Sequence, residues 1–390
     1  MSGNFDRPLG KPNPSIKKPV RISVVGLLLG CVLTAAFTGF AVRGLFYPSN
    51  EEPGEKTAVI ETAVNKVSQT DPKTSKSTIR KRPDLPVDEN TPGIRELNAS
   101  DRLEVPEIIP RKRPDHLAKR QFLTHLPDPE LFEETSFGQL PVKSSDGARA
   151  LDIYSREPDT EGNFGVARLV IIVGGLGISQ TSTDQAISAL PSGVTFAFAP
   201  YGNSLPRWMK AARKAGHELL MQVPMEPFGY PQTSAGKHSL LANVDERQNQ
   251  QNLHWSLGRI TNYVGVMNYL GGKILTSPEV LTPIFEELSD RGLMFVDDGS
   301  IRNSLTKSIS KTTRLPHTTA HMTIDSLRSR PAITKKLKEL EEMAKRTGLA
   351  IGVATAFPET ISQLAKFLKN AKKRGLEITP VSAIANEPKS

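Results

Sequence analysis

The chain has 390 residues, of which 37% are hydrophobic and 30 are prolines, and this composition indicates one large folded domain together with a polar segment that cannot fold. Its single cysteine, Cys31, excludes both a disulfide framework and a thiolate metal site. The net charge of +9 falls almost entirely within residues 165–390, so that part of the chain should prefer anionic partners such as lipid headgroups or acidic glycans.

The first predicted element is a membrane anchor. Residues 22–42 carry no charged side chain, and a run of about 20 apolar residues crosses a hydrocarbon core of about 30 Å. Basic residues precede the run and mainly acidic residues follow it, which places residues 1–21 in the cytoplasm and the rest of the chain on the far side. The sequence therefore predicts a single-pass protein of the inner (cytoplasmic) membrane with a periplasmic C-terminal domain.

A cleaved signal peptide is the alternative to a retained anchor. Residues 39–41 have the small-x-small pattern of a cleavage site, but the apolar run is longer than the usual signal-peptide core of about 7–15 residues. Either alternative exports the C-terminal part of the chain. Nucleic acid is therefore not an expected partner.

Residues 43–120 are predicted to be a disordered linker. They are rich in Pro, Ser, Thr and charged residues and poor in aromatic residues, so they cannot bury enough apolar area to offset the entropy of ordering. The pentapeptide Arg-Lys-Arg-Pro-Asp occurs at 80–84 and again at 111–115. The two copies are either short basic clamps for anionic lipid or glycan, or chance similarity within a solvated linker.

Residues 121–390 are predicted to form one domain of alternating strands and helices. A glycine follows the helical pattern at Gly216, Gly292 and Gly375, which is typical of a helix C-cap. Repeated βα units imply a mainly parallel sheet or barrel with helices outside it, and a site at the C-terminal ends of the strands. The predicted strands are Arg168–Val173, Val194–Ala199, Glu218–Val223, Val264–Asn268, Leu293–Asp297, Thr318–Ile324, Ala350–Ala354 and Glu377–Pro380. The predicted helices are Thr183–Leu190, Leu205–Ala215, Glu246–Asn262, Pro278–Arg291, Ala332–Thr347 and Glu359–Arg374.

Short motifs follow the predicted strands in order along residues 135–385. They are Gly-Leu-Gly-Ile-Ser (175–179), Ala-Phe-Ala-Pro-Tyr (197–201), Ala-Gly-His-Glu (215–218), Gln-Val-Pro-Met-Glu-Pro (222–227), Gly-Val-Met-Asn-Tyr-Leu-Gly (265–271), Phe-Val-Asp-Asp-Gly-Ser (295–300) and Ile-Gly-Val-Ala (351–354). In this order the motifs resemble the divergent polysaccharide deacetylase family and its YibQ-like group. The resemblance implies an α/β fold, a distorted (β/α) barrel related to the NodB-homology carbohydrate deacetylases.

The resemblance also implies a metal chemistry that this sequence does not match. In metal-dependent members an Asp and two His bind a divalent ion, usually zinc, and a second carboxylate removes a proton from the metal-bound water. Here Gly174-Gly175 stand where the Asp pair is expected, Gln222 where one His is expected, and Tyr269 where the other is expected. No metal ligand and no cofactor is therefore predicted, with zinc expected only if the site has been rebuilt from other residues.

Carboxylates at the predicted strand ends are the remaining candidates for catalysis. Glu226, Asp297 and Asp298 follow or end strands, which favours a residual acid/base pair or sugar-hydroxyl binding. The structural alternative is that Asp298 belongs to a turn and Glu226 braces a loop. The predicted ligand-binding residues are His238, Asn268, Tyr269, Ser300, Arg302, Gly174 and Gly175.

Three functions remain open from the sequence. The first is a membrane-anchored envelope protein whose deacetylase-like domain has lost its metal chemistry and binds glycan or an envelope protein partner. The second is an active carbohydrate deacetylase or hydrolase whose site is rearranged around Glu226, His238, Asp297 and Asp298. The third is a structural envelope protein, in which the linker sets the reach across the periplasm. The absence of every expected metal ligand favours the first.

Overall fold

The computed structural model of the chain describes residues 125–158 and 166–388. The predicted cytoplasmic tail, membrane anchor and linker, residues 1–120, lie outside the described residues, as do the first four residues of the predicted domain. Among the helices of the described ranges, none is both long enough and apolar enough to cross a bilayer.

The described residues form eleven β-strands and eight α-helices. The strands are β1 Phe132–Thr135, β2 Gly138–Pro141, β3 Ala167–Leu176, β4 Thr195–Phe198, β5 Leu219–Met225, β6 Gly265–Leu270, β7 Met294–Asp297, β8 His317–Thr319, β9 Met322–Thr323, β10 Leu349–Thr355 and β11 Leu376–Ile378. The helices are α1 Ala150–Ile153, α2 Gln180–Ala189, α3 Leu205–Lys214, α4 Glu246–Leu257, α5 Pro278–Asp290, α6 Thr306–Thr312, α7 Arg330–Thr347 and α8 Pro358–Leu368.

Strands β3 to β11 form one parallel sheet, in the order β8-β7-β6-β5-β4-β3-β10-β9, with β11 paired to the first residues of β3. Successive residues of the inner strands, which point to opposite faces of the sheet, are buried and mostly apolar. The central strand β3 is buried along nearly all of its length. Strands β1 and β2 form a separate antiparallel pair.

One short stretch of chain connects the two ends of the sheet. β8 pairs with β7, and β9, which begins three residues after β8 ends, pairs with β10. Between them, Ala320 N–H donates to Asp297 O at 2.8 Å and His321 N–H donates to Ile351 O at 2.9 Å. Because the same stretch bonds both edges, the sheet curls into the distorted barrel that was expected.

The structure corrects several predicted element bounds. The predicted strand Thr318–Ile324 is two short strands, because the chain crosses there from β7 to β10. The helix predicted to end at Asn262 ends at Leu257, where a Cβ on Gly258 would lie 2.2 Å from Phe137 O in the turn between β1 and β2. The final predicted helix ends at Leu368 and is followed by a 3-10 turn at Lys372–Arg374.

Glycine ends two helices as the sequence predicts. Gly216 and Gly292 have φ values of 87° and 70°, in the left-handed region that glycine adopts without a steric cost. Their N–H groups donate to Arg213 O and Ser289 O, both at 3.0 Å. Each glycine therefore turns the chain from a helix on the outside of the barrel into the next strand.

Candidate functional site

A cavity of about 640 Å³ opens at the C-terminal ends of the parallel strands, where sites in β/α folds lie. This volume is within the range of roughly 300–1,000 Å³ that small-molecule sites occupy. Residues that end or follow β3, β4, β5, β6 and β10 surround it. They are Gly175, Ile178, Ser179, Ser182, Ala199, Pro200, Tyr201, Gln222, Pro224, Ser234, Ala235, Gly236, Lys237, Tyr269, Thr355, Ala356 and Phe357.

Gln222 joins β5 to the end of β3 beside this cavity. Its Oε1 accepts a hydrogen bond from Gly175 N–H at 2.8 Å. A Cβ on Gly174 would lie 2.9 Å from Gln222 Nε2, so the amide group fills the space that a side chain at position 174 would need. Gln222 is only 6% exposed, and within the described ranges its Nε2 makes no hydrogen bond. This N–H group is therefore an unpaired donor that remains accessible from the cavity.

Two tyrosines form walls of the cavity. Tyr269 ends β6 with 46% of its surface exposed, and Tyr201 follows β4. The Tyr201 hydroxyl accepts a hydrogen bond from His238 N–H at 3.0 Å. Burial raises the pKa of Tyr201, so its phenol is protonated at neutral pH. The predicted ligand residues Tyr269 and Gly175 thus lie together at this cavity, while His238 contacts its wall through Tyr201.

An aromatic stack continues from that wall away from the cavity. The His238 ring stacks on Trp255 of α4 at a centroid distance of 4.0 Å, and Tyr201 lies 5.1 Å from the same indole. Partial burial and the neighbouring Lys237 lower the pKa of His238. Lys237 itself is exposed and lines the cavity.

Glu226 lies just after β5, and each of its carboxylate oxygens has a partner. Oε2 accepts from Ala242 N–H at 2.6 Å, and Oε1 lies 3.2 Å from Lys273 Nζ. The backbone of Glu226 also bonds the far end of the loop, since its N–H donates to Leu240 O at 2.9 Å. These contacts connect both ends of the loop 227–240, and Glu226 does not line the cavity.

Asp297 lies fully buried at the end of β7. Its Oδ2 accepts from Ser304 Oγ and Thr306 Oγ1, both at 2.6 Å, and its Oδ1 accepts from Gly299 N–H at 2.9 Å. These bonds fix the turn after β7 and the start of α6. Asp297 does not line the cavity either.

The remaining predicted residues lie in or beside the same turn. Asn268 Oδ1 accepts from Asp298 N–H at 2.9 Å, and its Nδ2 donates to Leu270 O at 2.8 Å. Asp298 Oδ1 accepts from Ser300 N–H at 2.9 Å, and burial raises the pKa of Asp298. Arg302 is exposed. Catalytic and ligand-binding roles for these residues stay predictions, since none of them lines the cavity.

The divalent ion implied by the sequence resemblance does not fit the residues at this cavity. Zinc and similar ions take imidazole, thiolate or carboxylate ligands. Gly175 has no side chain, Gln222 places an amide N–H donor there, and Tyr269 offers a phenol. Within residues 125–158 and 166–388, no group of three or more His, Cys, Asp and Glu residues is arranged to hold a metal ion.

Several cavity residues are absent from the sequence-based prediction. Ile178, Tyr201, Lys237 and Phe357 all line the cavity. Ile178 and Tyr201 belong to motifs that follow β3 and β4, so their position after a strand was an available signal. Phe357 follows β10 and carried the same signal, whereas Lys237 did not, because only the folded loop after β5 places it there.

Comparisons with known proteins agree with this architecture. A family model described as divergent polysaccharide deacetylase matches residues 171–385. The crystal structure of an uncharacterized protein from Agrobacterium tumefaciens C58 is 46% identical, covers 63% of this chain and 99% of its own, and superposes with a TM-score of 0.60. An uncharacterized protein of Haemophilus influenzae is 22% identical over 56% of this chain and 77% of its own length. The uncharacterized protein YibQ of Escherichia coli is 20% identical over 57% of this chain and 68% of its own length.

Proposed function

Since this chain belongs to the divergent polysaccharide deacetylase family, we propose that its barrel binds glycan at the strand-end cavity without performing the metal-dependent deacetylation of the wider group. The observation that carries the proposal is the arrangement of Gly174, Gly175 and Gln222. The Gln222 amide fills the space beside Gly174 and is held by Gly175 N–H. Neither a carboxylate base nor a metal ligand stands at that strand end.

The walls of the cavity support binding of a sugar. Tyr201 and Tyr269 are partly exposed there, and an aromatic ring packs well against the apolar C–H face of a pyranose. The exposed Lys237 adds a cation at the same place, which favours a glycan with a carboxylate or phosphate group.

The proposed location is the outer side of the cytoplasmic membrane, with the chain anchored by residues 22–42. The uncharged run and its basic N-terminal flank support this placement. In this arrangement the barrel meets periplasmic glycan or an envelope protein partner rather than a cytoplasmic substrate.

Fluorescence titration of the full-length protein with N-acetylglucosamine oligomers tests the binding. The chain has two tryptophans, of which Trp208 is buried, so a Trp208→Phe background leaves Trp255 beside Tyr201 as the reporter. Oligomers should shift the Trp255 emission, and Tyr269→Ala should weaken binding about tenfold, the effect of losing roughly 1–2 kcal/mol of aromatic contact.

Tyr230→Ala is the matched control, because Tyr230 is 43% exposed but does not line the cavity. It should leave binding unchanged. Mass spectrometry of the same oligomers should show no loss of acetyl groups. Acetyl release that disappears in Glu226→Ala or Asp297→Ala would instead support a rearranged hydrolase.

A further inference from the structure

We infer that the group which enters this cavity is an acyl chain longer than acetyl, attached to the sugar through an amide or ester carbonyl. The inference rests on the proposed function, because it names which part of a glycan the cavity takes. The sugar ring then lies at the mouth, against the exposed tyrosines.

The composition of the cavity walls favours an apolar occupant. Nine of its seventeen lining residues have aliphatic or aromatic side chains, among them Ile178, Pro224, Ala235 and Phe357. A bare pyranose that entered this space would leave several hydroxyl groups without partners, and each buried unpaired hydroxyl is costly. Methylene groups gain free energy from the same burial.

Several polar lining groups already accept hydrogen bonds within the protein. Ser179 Oγ accepts from Ser182 N–H at 3.2 Å, and Ser234 Oγ accepts from Gly236 N–H at 3.1 Å. These contacts occupy hydroxyl acceptors that could otherwise replace part of the hydration of a sugar ring.

The Gln222 amide supplies the polar contact that an acyl linkage needs. Gln222 is 94% buried, its Oε1 is taken by Gly175 N–H, and its Nε2–H lies beside the cavity as a donor. The carbonyl oxygen of an amide or an ester is an acceptor that can pair with this donor. The carbonyl therefore orients the acyl chain against the apolar wall.

An exposed apolar rim extends the same surface. Ile178 and Tyr269 line the cavity with 55% and 46% of their surface exposed. Phe228, which follows β5 and is 66% exposed, lies against Gly272 after β6. Exposed apolar groups gathered at one end of a barrel mark a binding surface more often than chance.

Calorimetric titration of the full-length protein in phospholipid nanodiscs tests the inference. The probes are N-acetyl-, N-butanoyl- and N-hexanoylglucosamine, and empty nanodiscs measure partition of each probe into lipid. Each added methylene should tighten binding about threefold to fourfold, so that the hexanoyl probe binds on the order of a hundredfold tighter than the acetyl probe. Ala235→Leu, which places a larger side chain inside the cavity, should reduce this gain, whereas Ala332→Leu on the outer helix α7 should preserve it.

The outcomes separate this inference from the proposed function. Equal affinity across the three probes, with N-acetylglucosamine oligomers still bound, overturns the acyl inference and leaves glycan binding intact. A gain with chain length that survives unchanged in Ala235→Leu overturns it as well, because the chain then binds elsewhere. Failure of both the oligomers and the acyl series overturns both proposals.

Discussion

Individual carboxylates at the strand ends accept hydrogen bonds that stabilise the loops and turns beside them. Asp297 is buried and accepts three hydrogen bonds from the turn and helix that follow it. Glu226 bonds the backbone of Ala242 and pairs with Lys273. The sequence predicts that these carboxylates lie near a site. Only the structure shows that each one accepts hydrogen bonds from a neighbouring loop or turn.

Replacing Asp297 should destabilise the domain. Asp297→Ala leaves Ser304, Thr306 and Gly299 without their acceptor, and we expect the free energy of unfolding to fall by about 2–4 kcal/mol, measured by urea denaturation. Asp298→Ala is the comparison, because Asp298 is less buried than Asp297 and is held by the neighbouring Ser300 and Asn268, so its loss should cost less than the loss of Asp297. Unchanged stability with lost acetyl release in Asp297→Ala would contradict the bracing role.

Two buried histidines should make the domain sensitive to acid. Burial lowers the pKa of both His217 and His317 to about 4. Each histidine is neutral in the folded state, so its contribution is fully present above the unfolded-state pKa of about 6.5 and is lost as the pH falls from there toward 4. The loss is at most about 3 kcal/mol for each histidine.

Urea denaturation between pH 7 and pH 4 measures this dependence. Two buried acids whose pKa is raised, Glu218 and Asp298, act in the opposite direction, so the comparison is made between the parent protein and His317→Asn. The variant should lose stability less steeply, by the equivalent of about one bound proton. Identical slopes would show that His317 does not contribute.

At the scale of whole elements, the loop after β5 determines the shape of one side of the cavity. The loop after β5 supplies Ser234, Ala235, Gly236 and Lys237 to one side of it. Both ends of that loop are joined through Glu226, which bonds Leu240 by its backbone and Ala242 by its side chain. The side of the cavity therefore depends on a residue that does not line it.

Removing the Glu226 side chain should make the loop 227–240 more mobile without unfolding the barrel. Glu226→Ala removes the acceptor for Ala242 N–H, and hydrogen exchange should accelerate at Ala242 and across residues 227–240. Glu226→Gln keeps an acceptor and loses only the pair with Lys273, which is 39% exposed, so it should cost under about 1 kcal/mol. Equal exchange rates in the two variants would argue against the brace.

At the scale of the whole molecule, the barrel is closed by its own chain. The stretch from β8 to β9 bonds both edges of the sheet, and the buried apolar residues of strands and helices form one continuous core. The core residues that the structure describes run from Leu131 to Ile384. We therefore expect the described barrel to fold without the proposed anchor and linker.

Removing residues 1–124 should give a folded soluble domain. We expect the fragment 125–390 to retain the far-UV circular dichroism of a β/α protein and to stay in the supernatant after ultracentrifugation. The full-length chain should sediment with membranes and resist extraction with alkaline carbonate, because a span of about 20 apolar residues is effectively irreversible in lipid. A full-length chain released by carbonate would contradict the anchor.

The sequence by itself predicted the parallel sheet, most of its strands and helices, and the family, because apolar runs, glycine C-caps and strand-end motifs are local features. It missed β1, β2, α1 and α6. It also identified Gly174, Gly175, Gln222 and Tyr269 as positions without metal ligands, and Gly175, Gln222 and Tyr269 lie at one cavity. Only the tertiary structure decided the rest. It showed that the Gln222 amide fills the space beside Gly174 and that Lys237 lines the cavity, because these contacts join residues far apart in the chain. No local pattern encodes them.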